Sequence, residues 1–481
     1  MSLHISLVGR KHFSVEIYRQ IRDAMVKGVL RHGDRLPPSR ELAATLSVSR
    51  MTVTIAYERL VAEGLASSRV GDGTFVTRAV AHLSSESRDR HVDGPLRPQS
   101  RWRAVPPPTA FADRAAFDFR TGLPDASLFP NTKWRRLFFR TLRTHMAADA
   151  VYGDPAGLPA LREAIARHVG VSRGVIASAD DVTVTSGTQQ ALDVIARVLL
   201  SPGDRIAVED PGYGPPRRLF ETLGARVAAV PVDLEGLVVP SIPRNVRAVY
   251  VTPSHQYPTG VSMTLGRRQA LLAWANRHNA AILEDDYDSE FRFGDRPLEP
   301  LRTLDGADRV VYLGSFSKTL LPGLRLGFLI APRTLRDAVH RAKFLTDWHS
   351  PTLLQRVLAR FIDDGEFARH LRRLNGVYRE RHALVRDRVI ADFADHLDLI
   401  PSSTGLHVAA MARAASVARI EAVAQRALAR GVAIQTLSRF AASDRAHAGI
   451  VLGYGAISSS DIERGLRILR ECFTSGREER R

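Results

Sequence analysis

Residues 310–325 read VVYLGSFSKTLLPGLR, and the reading of this stretch decides the fold of most of the chain. VVYLGSF is the apolar run of a buried strand. A polar turn carrying Lys318 follows, and Pro322-Gly323 can fold Arg325 back toward it. Working outward, more strand-like runs precede helical stretches: DVTVTSG before GTQQALDVIARVLL, RIAVED before PGYGPPRRLFETLG, then RAVYVTP and AAILEDD. Apolar strands alternating with helices predict an α/β unit over residues 116–334, a mostly parallel sheet covered by helices. From about residue 335 a helical segment leads into a smaller α+β region, 335–481, ending in DIERGLRILRECF.

A lone lysine is usually a solvated charge, so Lys318 gains meaning only from its companions. A lysine that forms a Schiff base with pyridoxal phosphate needs a phosphate cup, a carboxylate for the pyridine nitrogen and an aromatic against the ring. Gly187, Thr188 and Gln189 open a helix after a strand and would present N–H groups to a phosphate. Ser315, Ser317 and Arg325 would add hydroxyls and a forked cation. In ILEDDYDSEF, Asp285 ends a buried strand and is the candidate for the ring nitrogen, with Asp286 the competing choice. Tyr287 is the candidate for the cofactor's phenolic oxygen, and Tyr213 in EDPGYGPP for ring stacking.

A second pattern lies near the N-terminus, where residues 36–65 read LPPSRELAATLSVSRMTVTIAYERLVAEGL. Val15, Ile17, Ile21, Met25 and Leu30 recur at mostly helical spacing before HGDRLPP breaks the pattern. Ser39 is placed to cap a second helix and Ser49 a third, which ends near Glu63-Gly64. SSRVGDGTFV then carries a hairpin signature about Gly71 and Gly73. A helix-turn-helix sets the N-terminal side chains of its second helix against base edges. Ser49, Arg50 and Thr52 stand there, Arg40 is a candidate phosphate contact, and the Gly71–Gly73 turn would form a wing. A plain three-helix bundle with a solvated face leaves the hairpin unexplained.

The 481 residues exceed one ordinary core. Lys and Arg outnumber Asp and Glu by 68 to 51, and residues 1–115 hold 18 of the former against 11 of the latter. This is the denser basic charge, as attraction to phosphates requires. Cys472 is the only cysteine, so no intrachain disulfide forms and a reducing compartment is expected. No apolar run reaches the roughly 18 residues of a membrane span and no signal-peptide core is present, so the expectation is cytoplasmic. No metal-ligand spacing stands out. Residues 79–115, rich in Ser, Arg and Pro, have a linker composition.

The string L-P-x-S-R-E-L-A … V-S-R-x-T-V … E-G-L … G-x-G-T-F-V resembles the winged helix of GntR-type regulators over residues 10–78. Residues 118–475 resemble the fold-type-I aminotransferases through YGDPAGLPALREAI, EDPGY, TPSHQYPTG, EDDYDSEF and GSFSKTLLPGLRLGF. That resemblance implies that Lys318 forms the internal aldimine with pyridoxal 5'-phosphate, Asp285 pairs with the ring nitrogen and Tyr213 stacks. It also implies that Tyr152 reaches the phosphate from a partner subunit, hence a homodimer. Two departures stand out. Tyr257-Pro258-Thr259-Gly260 replaces the usual Asn-Pro-x-Gly, and GIVLGYGAI (449–457) lacks the arginine that holds a substrate carboxylate, with Arg439 a possible substitute. The order of the two modules resembles the MocR-type regulators. The resemblance implies a double-stranded DNA partner and a small amine or amino-acid-like effector, or pyridoxal phosphate itself. An active aminotransferase with a vestigial DNA module is the alternative.

Overall fold

The computed structural model describes residues 5–7, 12–69, 71–77, 97–103, 105–107, 115–145, 151–294, 299–443 and 447–474. They divide into two compact units, Met1–Arg103 and Ala104–Arg481. Most of the expected linker, 79–115, lies outside the described residues. Among those described, no helix is long and apolar enough to cross a membrane.

The first unit holds α1 (Phe13–Val26), α2 (Ser39–Thr45) and α3 (Arg50–Ala62), then strands β1 (Ala66–Arg69) and β2 (Gly73–Val76). One stripe of α1, Ile17, Ile21 and Met25, is buried with Tyr18 against Leu42, Ala43, Val53, Ala56, Tyr57 and Leu60. Each of the larger aliphatic side chains contributes about 1.5–3 kcal/mol. Val15 is exposed, because positions two apart on a helix do not share a face. The strands pair antiparallel from Ala66↔Val76 to Arg69↔Gly73. Gly71 and Gly73 take φ of +82° and +114°, a region glycine enters without a Cβ clash. Val70 in this turn lies outside the described residues.

The second unit is built on an eight-stranded sheet. Its strands are β3 (Val182–Thr185), β4 (Arg205–Asp210), β5 (Arg226–Asp233), β6 (Gly236–Leu237), β7 (Ala248–Val251), β8 (Ala281–Asp286), β9 (Val310–Ser315) and β10 (Gly327–Ile330). Their order is β3-β10-β9-β8-β7-β4-β5-β6. The central run β9-β8-β7-β4-β5 is parallel, and β10 lies antiparallel to both its neighbours. Parallel strands covered by helices on both faces are largely apolar, and β7 and β9 are buried along their whole length.

C-terminal to the sheet, helices including Glu366–Asp392 and Ser459–Thr474 pack on a four-stranded antiparallel sheet. The opening segment of the unit joins this region. Phe117–Asp118 pairs in parallel with Val432–Ala433, and Phe117 and Phe119 are buried in the same core as Tyr378, Val408 and Leu466. The stretch beginning at 116, expected with the large sheet, thus starts in the C-terminal core. It then carries Thr121 and Gly122 to the sheet's edge beside Lys318.

Candidate cofactor site and DNA-reading helix

The site forms where β7, β8 and β9 end. Tyr250 pairs with Leu283, so Asp285, two residues on, projects on the same face as Tyr250. The Tyr250 hydroxyl donates to Asp285 Oδ2 at 2.7 Å. The other oxygen, Oδ1, is buried with no hydrogen-bond partner. Burial pushes the Asp285 carboxyl up to about 7, against the Tyr250 bond that favours its charged form.

Asp286 faces the other way. It accepts from Arg173 Nε at 2.8 Å, Arg173 Nη2 at 3.1 Å, Ser289 Oγ at 2.8 Å and the Tyr312 hydroxyl at 2.5 Å. Burial opposes ionisation, but the Arg173 guanidinium and these donors hold Asp286 below the usual carboxylate range. Of the two acids that compete in the sequence, only Asp285 has an oxygen to offer.

Lys318 follows β9, and its Nζ donates to the Gly122 carbonyl at 2.7 Å. Burial lowers its ammonium below the ordinary value, while Asp288 and Asp285 oppose the shift. The phosphate-cup candidates meet at a helix start. Gly187 (φ +83°) precedes the helix α4 (Thr188–Leu199), whose first N–H groups have no intrahelical partners. Arg325, itself at φ +51°, donates from Nη2 to Ser186 O at 2.6 Å. Ser315 ends β9 opposite Gly327, which in turn faces Thr185 of β3. Gly187 closes on Gly327, where an added Cβ would lie 2.8 Å from the Gly187 Cα, and Ser315 Oγ accepts from Ser317 N at 3.1 Å.

Aromatic groups wall the site. The Tyr213 ring, at the start of the helix Gly214–Thr222, meets Tyr257 edge-on at 5.3 Å. Tyr257 also meets Tyr287, His407 and Phe440. The Tyr257 hydroxyl lies 2.6 Å from Thr121 Oγ1, which donates to Gln435 Oε1 at 2.8 Å. In place of the usual asparagine, this tyrosine therefore bonds to the segment that leads into the C-terminal core. The Tyr287 hydroxyl donates to the His255 carbonyl at 2.9 Å. His255, Asp288 and His407 form a buried group of potential ligands. The two imidazoles are tilted at 41° with centroids 4.3 Å apart, and the candidate ligand atoms lie within 4.8 Å of one another.

Two candidates stand apart from the cup. Tyr152 is 73% exposed and stacks on Trp348 at 4.2 Å. Arg439 is exposed and lines a cavity of 590 Å³ with Arg120, Glu421 and Gln435. It precedes Phe440, whose ring packs on Tyr257. Tyr250, Thr121, Gly122 and Arg173 were not singled out from sequence. Only Tyr250 carried a signal there: a hydroxyl inside an apolar strand must find a buried partner.

In the first unit, Ser49 caps α3. Its Oγ accepts from Thr52 N at 3.2 Å and lies 2.8 Å from Thr52 Oγ1. Ser39 is not a cap, because Pro38 takes that position; Ser39 is the first residue of α2, and its Oγ accepts from Arg50 Nε at 3.3 Å. Arg40, Ser49 and Arg50 are exposed around this junction, and Gly71 is exposed at the hairpin tip.

Comparison with known proteins assigns both units. Residues 13–76 match "Bacterial regulatory proteins, gntR family", and residues 128–463 match "Aminotransferase class I and II". The chain is 36% identical, over 95% of its length and 93% of the relative's, to the probable rhizopine catabolism regulatory protein MocR of Rhizobium meliloti. It is 33% identical, over 92% and 91%, to the pyridoxine biosynthesis transcriptional regulator PdxR of Corynebacterium glutamicum. Among solved structures, the kynurenine aminotransferase of Pyrococcus horikoshii, in complex with PMP, aligns over 77% of this chain and 92% of its own at 27% identity and a TM-score of 0.70. The α-aminoadipate aminotransferase of Thermus thermophilus aligns over 75% and 92% at 29% identity and a TM-score of 0.69. With a GntR-type winged helix and a fold-type-I aminotransferase fold on one polypeptide, the chain belongs to the MocR-type helix-turn-helix transcriptional regulators.

Proposed function

We propose that this regulator binds pyridoxal phosphate at Lys318 and senses a small amine or amino-acid-like effector, or the cofactor itself, to alter its grip on operator DNA. The observation that carries the reading is the unpartnered, buried Oδ1 of Asp285 at the strand ends that also carry Lys318. A buried carboxylate oxygen without a partner is costly unless a cation or donor meets it. A pyridinium nitrogen is such a group. Gly187, Thr188, Gln189 and Arg325 fit the phosphate, since backbone N–H groups and a guanidinium both favour a dianion.

When bound, pyridoxal phosphate supplies an aldehyde that condenses with a primary amine and a ring that withdraws electrons. Asp285 would hold the ring nitrogen, Tyr213 would cover the ring and Lys318 would present an amine less protonated than a surface lysine. Lys318 Nζ donates to Gly122 on the segment that enters the C-terminal core, so a group bound at Lys318 would bear on how that core is held. Sensing is preferred over turnover because GIVLGYGAI lacks a carboxylate-holding arginine. The exposed Tyr152 is read as a contact to a partner subunit's site, so the working unit is a homodimer. Arg40, Ser49, Arg50, Thr52 and the Gly71–Gly73 wing are the proposed DNA contacts.

The test mixes the full chain with pyridoxal phosphate, reduces it with borohydride and maps the adduct. It then follows retardation of DNA from upstream of the gene across a panel of amines. An adduct at Lys318 that is lost in Lys318→Ala, with amine-dependent retardation, supports the proposal. An adduct elsewhere, or retardation indifferent to every amine and to the cofactor, overturns it. Sustained release of oxo acid would favour the aminotransferase.

A further inference from the structure

Asp285 stands 3% exposed, and Tyr250, 1% exposed, is the side chain hydrogen-bonded to it among the described residues. The bond is made to Oδ2 alone, leaving Oδ1 open. The terminal torsion of an aspartate is broad and two-fold, so an unanchored carboxylate samples many orientations. We propose that Tyr250 is a positioning residue for Asp285: its hydroxyl fixes one carboxylate oxygen, aims the other at the ring-nitrogen position and favours the charged form that pairs there. This inference rests on the reading of the site as a pyridoxal phosphate site.

Geometry and charge agree on this role. The register sets Tyr250 and Asp285 on one face of adjacent parallel strands, so the bond is built into the sheet. Burial brings the Asp285 carboxyl up to about 7, near the midpoint of its titration at neutral pH. That value already includes the Tyr250 bond, a donor to the charged form whose loss would move it further up. Asp286 and Asp288 push toward protonation and Lys318 toward ionisation, and Glu209, Tyr213 and Tyr287 also interact with the Asp285 charge. Of these, only Tyr250 also sets the orientation of the carboxylate.

The experiment measures pyridoxal phosphate affinity of the full chain against pH for wild type, Tyr250→Phe, Asp285→Asn and the double variant. Tyr250→Phe is expected to weaken binding about tenfold at neutral pH, the worth of one hydrogen bond to a charged group. It should also move the pH midpoint of the affinity upward, because more hydroxide is then needed to ionise Asp285. Asp285→Asn should weaken binding further and abolish that midpoint, and the double variant should match it. An even loss at all pH values, or a Tyr250→Phe loss that adds in full to that of Asp285→Asn, overturns the inference. Placing 3-fluorotyrosine at position 250 keeps the bond and strengthens the donor, so the midpoint should fall. An unmoved midpoint overturns the inference even if the phenylalanine variant folds poorly. If Asp285→Asn binds the cofactor as wild type does, the cofactor reading itself fails; a failure confined to Tyr250 leaves that reading standing.

Discussion

Arg173 grips Asp286 with two parallel hydrogen bonds, 2.8 and 3.1 Å long, although 113 residues separate them in the chain. Both side chains are buried, at 5% and 0% exposure. A buried ion pair stripped of one partner leaves an uncompensated charge, which costs about 3–5 kcal/mol. Arg173→Leu is therefore expected to lower the denaturation midpoint of the second unit sharply. Asp285→Asn, which removes a carboxylate that makes no close ion pair among the described residues, is expected to leave it unchanged or raise it. Urea unfolding followed by fluorescence distinguishes the two, and equal losses would refute the assignment of one acid to structure and the other to the site.

The same two acids give opposite dependences on pH. Asp286 titrates below the usual carboxylate range in the fold, so its contribution to stability is present above the unfolded carboxylate value and is lost as pH falls through its own. Asp285 and Glu209 are both raised to about 7 by burial. Their contributions are complete below the unfolded carboxylate value and are lost as pH rises through about 7. The cofactor-free chain is thus expected to lose stability as pH rises from about 4 to about 7, by about 3–4 kcal/mol for each such group at most. Saturating pyridoxal phosphate should flatten that slope, because the pyridinium meets the ionised Asp285. Melting temperature against pH, with and without cofactor, tests both halves.

How far the sequence could be read depends on the range of the interaction concerned. Local patterns were legible: the apolar runs became β3, β4, β7, β8 and β9, and Ser49 caps α3 as its spacing implied. Ser39 was misread because a serine before a helix resembles a cap whether it occupies the cap or the first turn. What the sequence alone left open depends on distant partners. That Arg173, at the end of a distant helix, engages Asp286 and not Asp285 is a pairing no periodicity reveals. The entry of Phe117 and Phe119 into the C-terminal core is likewise invisible, since a two-residue strand leaves no alternating pattern. Gly122 enters the site through its carbonyl, and a backbone group carries no mark in a sequence.

Gly187 offers a probe of the proposed phosphate cup that leaves every charge in place. Its φ of +83° is costly for any other residue, and a Cβ there would lie 2.8 Å from Arg325 Nη2. Gly187→Ala is expected to displace Arg325 and to weaken pyridoxal phosphate binding by about tenfold or more, as one charge-assisted contact is lost. Affinity for pyridoxal, which lacks the phosphate, should change little. If both ligands lose affinity equally, Gly187 does not border the phosphate.

Arg50 tests the DNA-reading face. It is the first residue of α3, exposed, and tied through Nε to Ser39 Oγ, which leaves its remaining N–H groups available to a phosphate or a guanine edge. Arg50→Ala should weaken operator binding while the winged helix stays folded, because no core side chain is removed. If Arg50 meets a phosphate, the loss should be uniform across sequences, and the slope of log affinity against log salt should fall by about one. If it meets a base, discrimination at one position should drop by about 1–3 kcal/mol with less change in slope. Tyr57→Phe serves as the structural comparison, since its hydroxyl donates to the Pro37 carbonyl at 2.7 Å and losing that bond costs about 1 kcal/mol of stability and moves the melting temperature. Retardation measured at several salt concentrations, against operator and scrambled DNA, separates these outcomes. Unchanged binding by Arg50→Ala at matched salt would place the DNA contact elsewhere on the unit.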